Sequence, residues 1–229
     1  MKNFINIRDI STKDLKKIIL DAKKRKAKRK KLNYLDSDKD SPLKGRFLIQ
    51  MFEKSSTRTR LSFYLAIKQL GGGVLNLRAD ELHLAKGESL PDTAKILSTY
   101  GNAFMLRTSS DDKLNQFIKH MTIPIINGLS PSSHPTQVLS DIFTIEELKK
   151  KPISKLQISW IGDPSNNVIN SLIVASVKFS FKLNIAFPKK YSPKKSLINW
   201  VKKNNCKINL FNDPIKAVLN SDVVFTDKV

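Results

Sequence analysis

A single cysteine, Cys206, leaves this chain without an intrachain disulfide framework and suits a reducing compartment. No apolar stretch is long enough to cross a bilayer, since runs such as Ile169–Val177 are interrupted and short. The N-terminus alternates charged and apolar residues without the apolar segment of a secretory signal. A cytoplasmic protein with no membrane partner is the expectation. Also missing are Gly-x-Gly-x-x-Gly, a Gly-Lys-Ser/Thr phosphate loop and Gly-x-Ser-x-Gly. The three histidines, His83, His120 and His134, have no metal-ligand spacing, so neither a metal nor an organic cofactor is implied.

Acidic residues are scarce. Twenty Asp and Glu stand against 41 Lys and Arg, a formal charge of +21. Such an excess favours polyanions through counterion release. Its densest run, Lys23 to Lys31, falls at the end of a first helix that Ser11 or Thr12 can cap, where cations complement the negative helix terminus. No aromatic side chain is interleaved to stack on bases. The run therefore reads as a solvated helix face, with salt-dependent, nonspecific polyanion binding and no specific nucleic-acid partner.

With 229 residues, 40% of them hydrophobic, the chain can bury a core as one large domain or two smaller ones. From residue 44 onward, β-rich runs alternate with helical patterns, as in βαβ units of a parallel sheet. Strands are predicted at Phe47–Phe52, Val74–Leu77, Ala103–Arg107 and Pro124–Asn127, with helices near 57–70, 91–100 and 112–119. A helix from Pro135 carries Val138, Ile142 and Ile145 on one face and runs to Lys150. The alternation then resumes with strands at Leu156–Ile161, Leu183–Phe187, Lys207–Leu210 and Val223–Thr226, and helices near 167–180, 193–203 and 213–220. The fold class is α/β: two doubly wound parallel-sheet domains, 1–134 and 151–229, joined by the long helix 135–150.

Ligands of open parallel sheets collect beyond the carboxyl ends of the strands. After Phe52 comes Ser55-Ser56-Thr57-Arg58-Thr59-Arg60, on a strand-to-helix turn. Free N–H groups of the first helical turn, hydroxyls and two guanidinium forks together suit a phosphate dianion. A capped helix with two solvated arginines is the plainer reading, but capping needs one hydroxyl residue, not a run. Arg107 ends a second strand. His134 precedes Pro135 and lies just outside the helix that proline starts, with Gln137 in its first turn. A neutral imidazole and an amide offer donors to a carbonyl oxygen that gains charge; an N-cap histidine with a surface glutamine is the alternative. Gly162-Asp163 with Asn166-Asn167 follows another strand, and Asp227 the last.

Three places resemble the aspartate/ornithine carbamoyltransferase family: Ser56–Arg60 its phosphate motif, Asn127-Gly128-Leu129 with His134–Gln137 its carbonyl motif, and Gly162-Asp163 with Asn166-Asn167-Val168. The paired asparagines and the lead-in to His134 are similar to the ornithine branch. The resemblance implies that carbamoyl phosphate is bound by Ser56, Thr57, Arg58, Thr59, Arg107, His134 and Gln137. Arg58, Arg107, His134 and Gln137 would carry the catalysis. It implies L-ornithine binding by Asn167 and Asp227, the latter through a charged amine. Leu82 to Ser89 resembles the loop in which a Gln or His reaches the carbamoyl phosphate of a neighbouring subunit, which places His83 there and implies a homotrimer with shared active sites.

The reaction so implied is transfer of a carbamoyl group to ornithine, giving citrulline in arginine biosynthesis. The alternatives are another acceptor, such as aspartate, a modified ornithine or putrescine, or an inactive truncated chain with nonspecific polyanion binding. The family continues beyond the position of Asp227 with segments this sequence does not contain, so the second domain is expected to be incomplete. Cys206 does not occupy the family's cysteine position and reads as a buried thiol in a strand.

Overall fold

Phe47–Phe52 is a continuous apolar run with one polar interruption, Gln50, the composition of a strand covered on both faces. The computed structural model describes residues 3–78, 87–206 and 208–227. In it this run is β1, followed by α2 (Thr57–Gln69), β2 (Gly73–Arg78), α3 (Leu90–Tyr100), β3 (Ala103–Arg107), α4 (Asp111–His120) and β4 (Ile125–Leu129). Helix α1 (Thr12–Lys28) precedes them. All pairings are parallel, in the order β2-β1-β3-β4.

Alternation along β1 sends side chains to opposite faces. Ile49 and Met51 join Phe104, Leu106 and Ile125 under Ala94 and Leu97 of α3 and Leu114 and Phe117 of α4. Leu48 and Phe52 join Met105 under Phe63 and Ile67 of α2. Helices thus cover both faces, the doubly wound arrangement. Phe4 extends the β4 edge, accepting from Asn127 N at 2.9 Å and donating to Ile125 O at 2.8 Å.

The second sheet has the order β7-β6-β5-β8, again all parallel. Its strands are β5 (Gln157–Ile161), β6 (Lys182–Ala186), β7 (Ile208–Phe211) and β8 (Val223–Thr226), with α5 (Pro135–Lys149), α6 (Asn167–Phe179), α7 (Lys195–Lys203) and α8 (Pro214–Val218). Two polar strand residues are buried here with partners. Ser159 and Asn184 both donate to the Ala217 carbonyl, at 2.6 and 2.7 Å, tying the C-terminal turn of α8 to the sheet.

The domain division differs from expectation. One unit comprises Met1–Ile5 and Leu20–Pro131, the other Asn6–Ile19 and Ser132–Val229. Helix α5 is therefore part of the second unit rather than a joint, with Val138, Leu139 and Ile142 buried and α6 packed beside it. Residues 6–19 also belong to the second unit. Lys178 donates to Ile10 O at 2.8 Å, and the Arg8 guanidinium lies 5.2 Å from the Trp200 ring. These contacts span far more sequence than any local pattern reads.

The basic run is not wholly solvated either. Ser11 caps α1, accepting from Asp14 N at 3.1 Å, and Lys24, Lys28, Lys30 and Lys31 are exposed. However, Arg25 and Arg29 both reach Asp38, at 2.8 and 2.6 Å, while Arg25 also holds Asp21 and Asp40. Burial would raise the Asp38 carboxyl, yet the hydrogen bonds and charge of the two guanidiniums leave it below the usual value. A depressed carboxylate stabilises the fold above its unfolded pKa, near 3.8, and that contribution is lost as pH falls through the folded value. Asp38→Asn should cost about 1–2 kcal/mol at neutral pH, with the gap to wild type closing in acid, read by urea denaturation at a series of pH values.

Candidate active site

In both sheets the strand order reverses at one point, and ligands bind outside the carboxyl ends there. In the first sheet the reversal lies between β1 and β3, whose last residues, Phe52 and Arg107, are register partners. The turn after Phe52 and the Arg107 side chain are thereby brought together, and Arg107 Nη1 donates to Thr59 Oγ1 at 3.0 Å.

Ser56 is the N-cap of α2 but makes no side-chain capping bond, whereas Ser89 and Ser110 cap α3 and α4 with their hydroxyls. The first-turn N–H groups of α2 therefore keep their donors, and the Ser56 hydroxyl its own. Arg58 is exposed and Arg107 half-buried. Burial, then the nearby Arg58 charge, lowers the Arg107 pKa. Arg60 lies over the Phe52 ring at 4.8 Å, and among the described residues neither its buried Nε nor that of Arg107 has a hydrogen-bond partner.

Among the described residues no carboxylate pairs with Arg58, Arg60 or Arg107. The nearest acid in sequence, Glu53, is engaged by Lys113, Thr108 Oγ1 and Ser109 N. Burial raises its pKa, but those partners outweigh it and hold it below the usual value. A cavity of about 520 Å³ opens on this turn, lined by Phe52, Ser56, Thr57 and Arg60 among others. Uncapped helix N–H groups, hydroxyls and unneutralised guanidiniums make a receptor for a phosphate-sized anion.

Beside Arg107 the ladder to β4 slips, Leu106 pairing Asn127 but Arg107 pairing Leu129, so Gly128 forms the irregularity. A Cβ there would collide with the Met105 sulfur and approach Leu106 O to 3.3 Å, which accounts for glycine between Asn127 and Leu129.

In the second unit the reversal lies between β5 and β8, whose ends Ile161 and Thr226 pair. Beyond them stand the 162–167 loop and Asp227. The paired asparagines divide the work: Asn166 caps α6, its Oδ1 accepting from Val168 N and Ile169 N, both at 3.0 Å, and its Nδ2 donates to Asp227 at 3.3 Å. Asn167 opens the helix. Asn167 is half-buried and Asp227 exposed.

His134 is buried at the N-cap of α5, with no side-chain capping bond, and its backbone N–H donates to Ser171 Oγ of α6 at 2.8 Å. Asn170, the preceding α6 residue, donates to Ser132 O and Ser165 O, each at 3.3 Å, so one helix holds the loop before His134 and the loop before Asn167. Asn170 and Ser171 escaped sequence reading because hydroxyls and amides in a helix carry no signal of a partner 37 residues away. Gln137 is exposed, and its amide donates to Asp141 one turn on.

Burial pushes the Asp141 carboxyl up to about 6, with the Gln137 bond pulling the other way. A raised carboxyl favours the fold fully below its unfolded pKa, about 4, and loses that favour as pH rises through about 6. Asp141→Asn should therefore gain on wild type between those values, by roughly 2 kcal/mol after allowance for partial exposure, in urea denaturation across that range.

His83 lies outside the described residues. Cys206 is half-buried and precedes β7 instead of lying within it, so the expected buried strand thiol is corrected. Among the described residues no cluster of three or more His, Cys, Asp or Glu is placed to hold a metal ion, and no helix is long and apolar enough to cross a membrane.

Two parallel sheets, each with candidate ligands at its reversal point and one of them with a phosphate-type turn, define a two-unit α/β protein that binds a phosphorylated small molecule. Residues 2–147 match the family described as "Aspartate/ornithine carbamoyltransferase, carbamoyl-P binding domain", and residues 154–229 match its companion, "Asp/Orn binding domain". The chain is 41% identical over 226 residues to the ornithine carbamoyltransferase of Nitrobacter winogradskyi, an alignment covering 99% of this chain and 71% of the relative. The solved ornithine carbamoyltransferase of Pyrococcus furiosus superposes with a TM-score of 0.90 at 35% identity, over 100% of this chain and 72% of that one. The catalytic subunit of M. jannaschii aspartate transcarbamoylase gives a TM-score of 0.80 at 30% identity, over 99% of this chain and 73% of that one. The chain belongs to the aspartate/ornithine carbamoyltransferase family and is an enzyme of it.

Proposed function

We propose that this chain transfers the carbamoyl group of carbamoyl phosphate to the side-chain amine of L-ornithine, releasing citrulline and phosphate. The observation that carries this reading is the Arg107–Thr59 contact above the uncapped N-terminus of α2, a receptor whose guanidiniums pair with no carboxylate among the described residues. Ser56, Thr57 and Arg58 take the phosphate. Thr59, Arg107, His134 and Gln137 take the carbamoyl group; Thr59, Arg107 and His134 stabilise the charge that grows on its oxygen as the amine attacks, and Gln137 holds the group in place. Orientation and charge stabilisation supply most of the acceleration, so no covalent nucleophile is needed.

The amine must attack uncharged. With a pKa near 10.4, deprotonating it at about pH 7.5 costs roughly 4 kcal/mol, which a site favouring the neutral amine reduces. Asn167 and Asp227 bind the acceptor. Asp227 suits a second, charged amine and would repel the carboxylates of aspartate, which favours ornithine although an aspartate transcarbamoylase is among the similar structures. The role proposed is in arginine biosynthesis, in the cytoplasm, as a homotrimer to whose shared sites His83 contributes.

Calorimetric titration with carbamoyl phosphate, beside a short RNA, tests the phosphate half. Carbamoyl phosphate should bind, and Arg58→Ala, which removes an exposed and partly screened guanidinium, should weaken it about tenfold without changing RNA binding. Equal affinity in the variant would sink the assignment of Ser56–Arg60. RNA binding that is tight and insensitive to salt would favour a nucleic-acid protein instead.

A further inference from the structure

Gln137 and Asp141 stand one turn apart on α5, joined by a hydrogen bond from Nε2 to Oδ1 of 2.8 Å. An ionised carboxylate offers only acceptors, whereas a side-chain amide carries donors at one end and an acceptor at the other. The contact therefore decides how the amide lies. Its NH2 faces Asp141 and its oxygen is turned away; exchanging the two would set acceptor against acceptor. Among the described residues Gln137 Oε1 has no hydrogen-bond partner, and the side chain is exposed.

We propose that Asp141 is a positioning residue that orients the Gln137 amide so that its oxygen receives the amino group of a carbamoyl ligand, selecting carbamoyl over acetyl. This rests on the reading of Gln137 as a carbamoyl phosphate ligand. Carbamoyl and acetyl phosphate share the phosphate and the carbonyl and differ in one group, NH2 against CH3. An acceptor held toward that group gains a hydrogen bond from the first and is left unpaired by the second. Asp141 is also an expensive residue to keep. Its half-buried carboxyl is ionised at neutral pH against the pull of burial, as its raised pKa shows. A residue present only for packing would not carry that burden.

The test is calorimetric titration of the wild-type chain, Asp141→Asn, Gln137→Ala and the double variant with carbamoyl phosphate, acetyl phosphate and inorganic phosphate, with a thermal melt of each. Asparagine is isosteric but presents a donor as well as an acceptor, so it no longer dictates the amide's orientation. Asp141→Asn should weaken carbamoyl phosphate about twofold, the reciprocal of a correctly oriented fraction of about one half, and leave inorganic phosphate unchanged. Preference for carbamoyl over acetyl phosphate should shrink with it. In the Gln137→Ala background the same substitution should change nothing further, and the melting midpoint should not fall at pH 7.5.

An unchanged carbamoyl phosphate affinity in Asp141→Asn overturns the proposal. So does a loss that persists without Gln137, or one shared equally by all three ligands together with a lower midpoint, which marks a structural role. If the wild-type chain does not prefer carbamoyl phosphate to inorganic phosphate, the proposed function itself fails and this inference with it.

Discussion

Arg107→Met should abolish most carbamoyl phosphate binding while leaving the unliganded protein no less stable. Arg107 stands at the last position of β3, half-buried, with one hydrogen bond to Thr59 and the Arg58 charge nearby. Both burial and Arg58 act against its charge, so in the empty protein the guanidinium costs free energy. A bound dianion reverses the sign. Charge-assisted hydrogen bonds to a desolvated guanidinium contribute on the order of 2–3 kcal/mol, which makes the expected loss about 100-fold in affinity. Titration calorimetry with a parallel thermal melt checks both halves of the statement. A variant that binds normally, or that loses binding only because it has unfolded, would contradict it.

Phe117→Ala is expected to have the largest effect on stability, about 3–5 kcal/mol. Phe117 is wholly buried on α4, its ring centroid 5.1 Å from that of Phe104 on β3, in the cluster that includes Ile49, Met51 and Leu106. Truncation loses the transfer free energy of the ring and leaves a cavity that a parallel sheet cannot close, because its strands are pinned by ladders on either side. With two units in the chain a single unfolding midpoint is a poor measure. Hydrogen exchange of the β1, β3 and β4 amides reports the first unit directly, and those amides should lose protection while β5 and β6 keep theirs.

The two predictions rest on different kinds of information. Phe117 falls within the helix predicted near 112–119, and the strands are legible because a sheet covered on both sides needs uninterrupted apolar runs: β1, β3 and β8 have the boundaries the sequence predicts. The sequence predicts that Pro124 opens β4, yet the strand begins at Ile125, and the Pro124 carbonyl accepts from Phe104 N at 2.9 Å. Motif residues were legible because hydroxyls, guanidiniums and amides cluster where strands end, which solvated loops do not require.

What could not be read locally is of one kind. The withdrawal of Arg25 and Arg29 from solvent depends on Asp38, the allegiance of residues 6–19 on α6, and the service of Asn170 and Ser171 on loops that precede them. In each case the partner lies beyond the range of helical or strand periodicity.

By itself, the sequence determined that this protein alternates strands and helices into parallel sheets, that a cationic hydroxyl-rich turn follows its first strand, and which family it resembles. Backbone preference and hydrophobic period are local properties, and they are written residue by residue. Only the tertiary structure decided the strand orders β2-β1-β3-β4 and β7-β6-β5-β8. Those orders put the reversal points between β1 and β3 and between β5 and β8, and so made neighbours of Thr59 and Arg107, 48 residues apart, and of Asn166 and Asp227, 61 apart. Strand order is set by how whole faces of helices and sheets bury against one another, a sum over contacts distant in the chain that no single stretch of it contains.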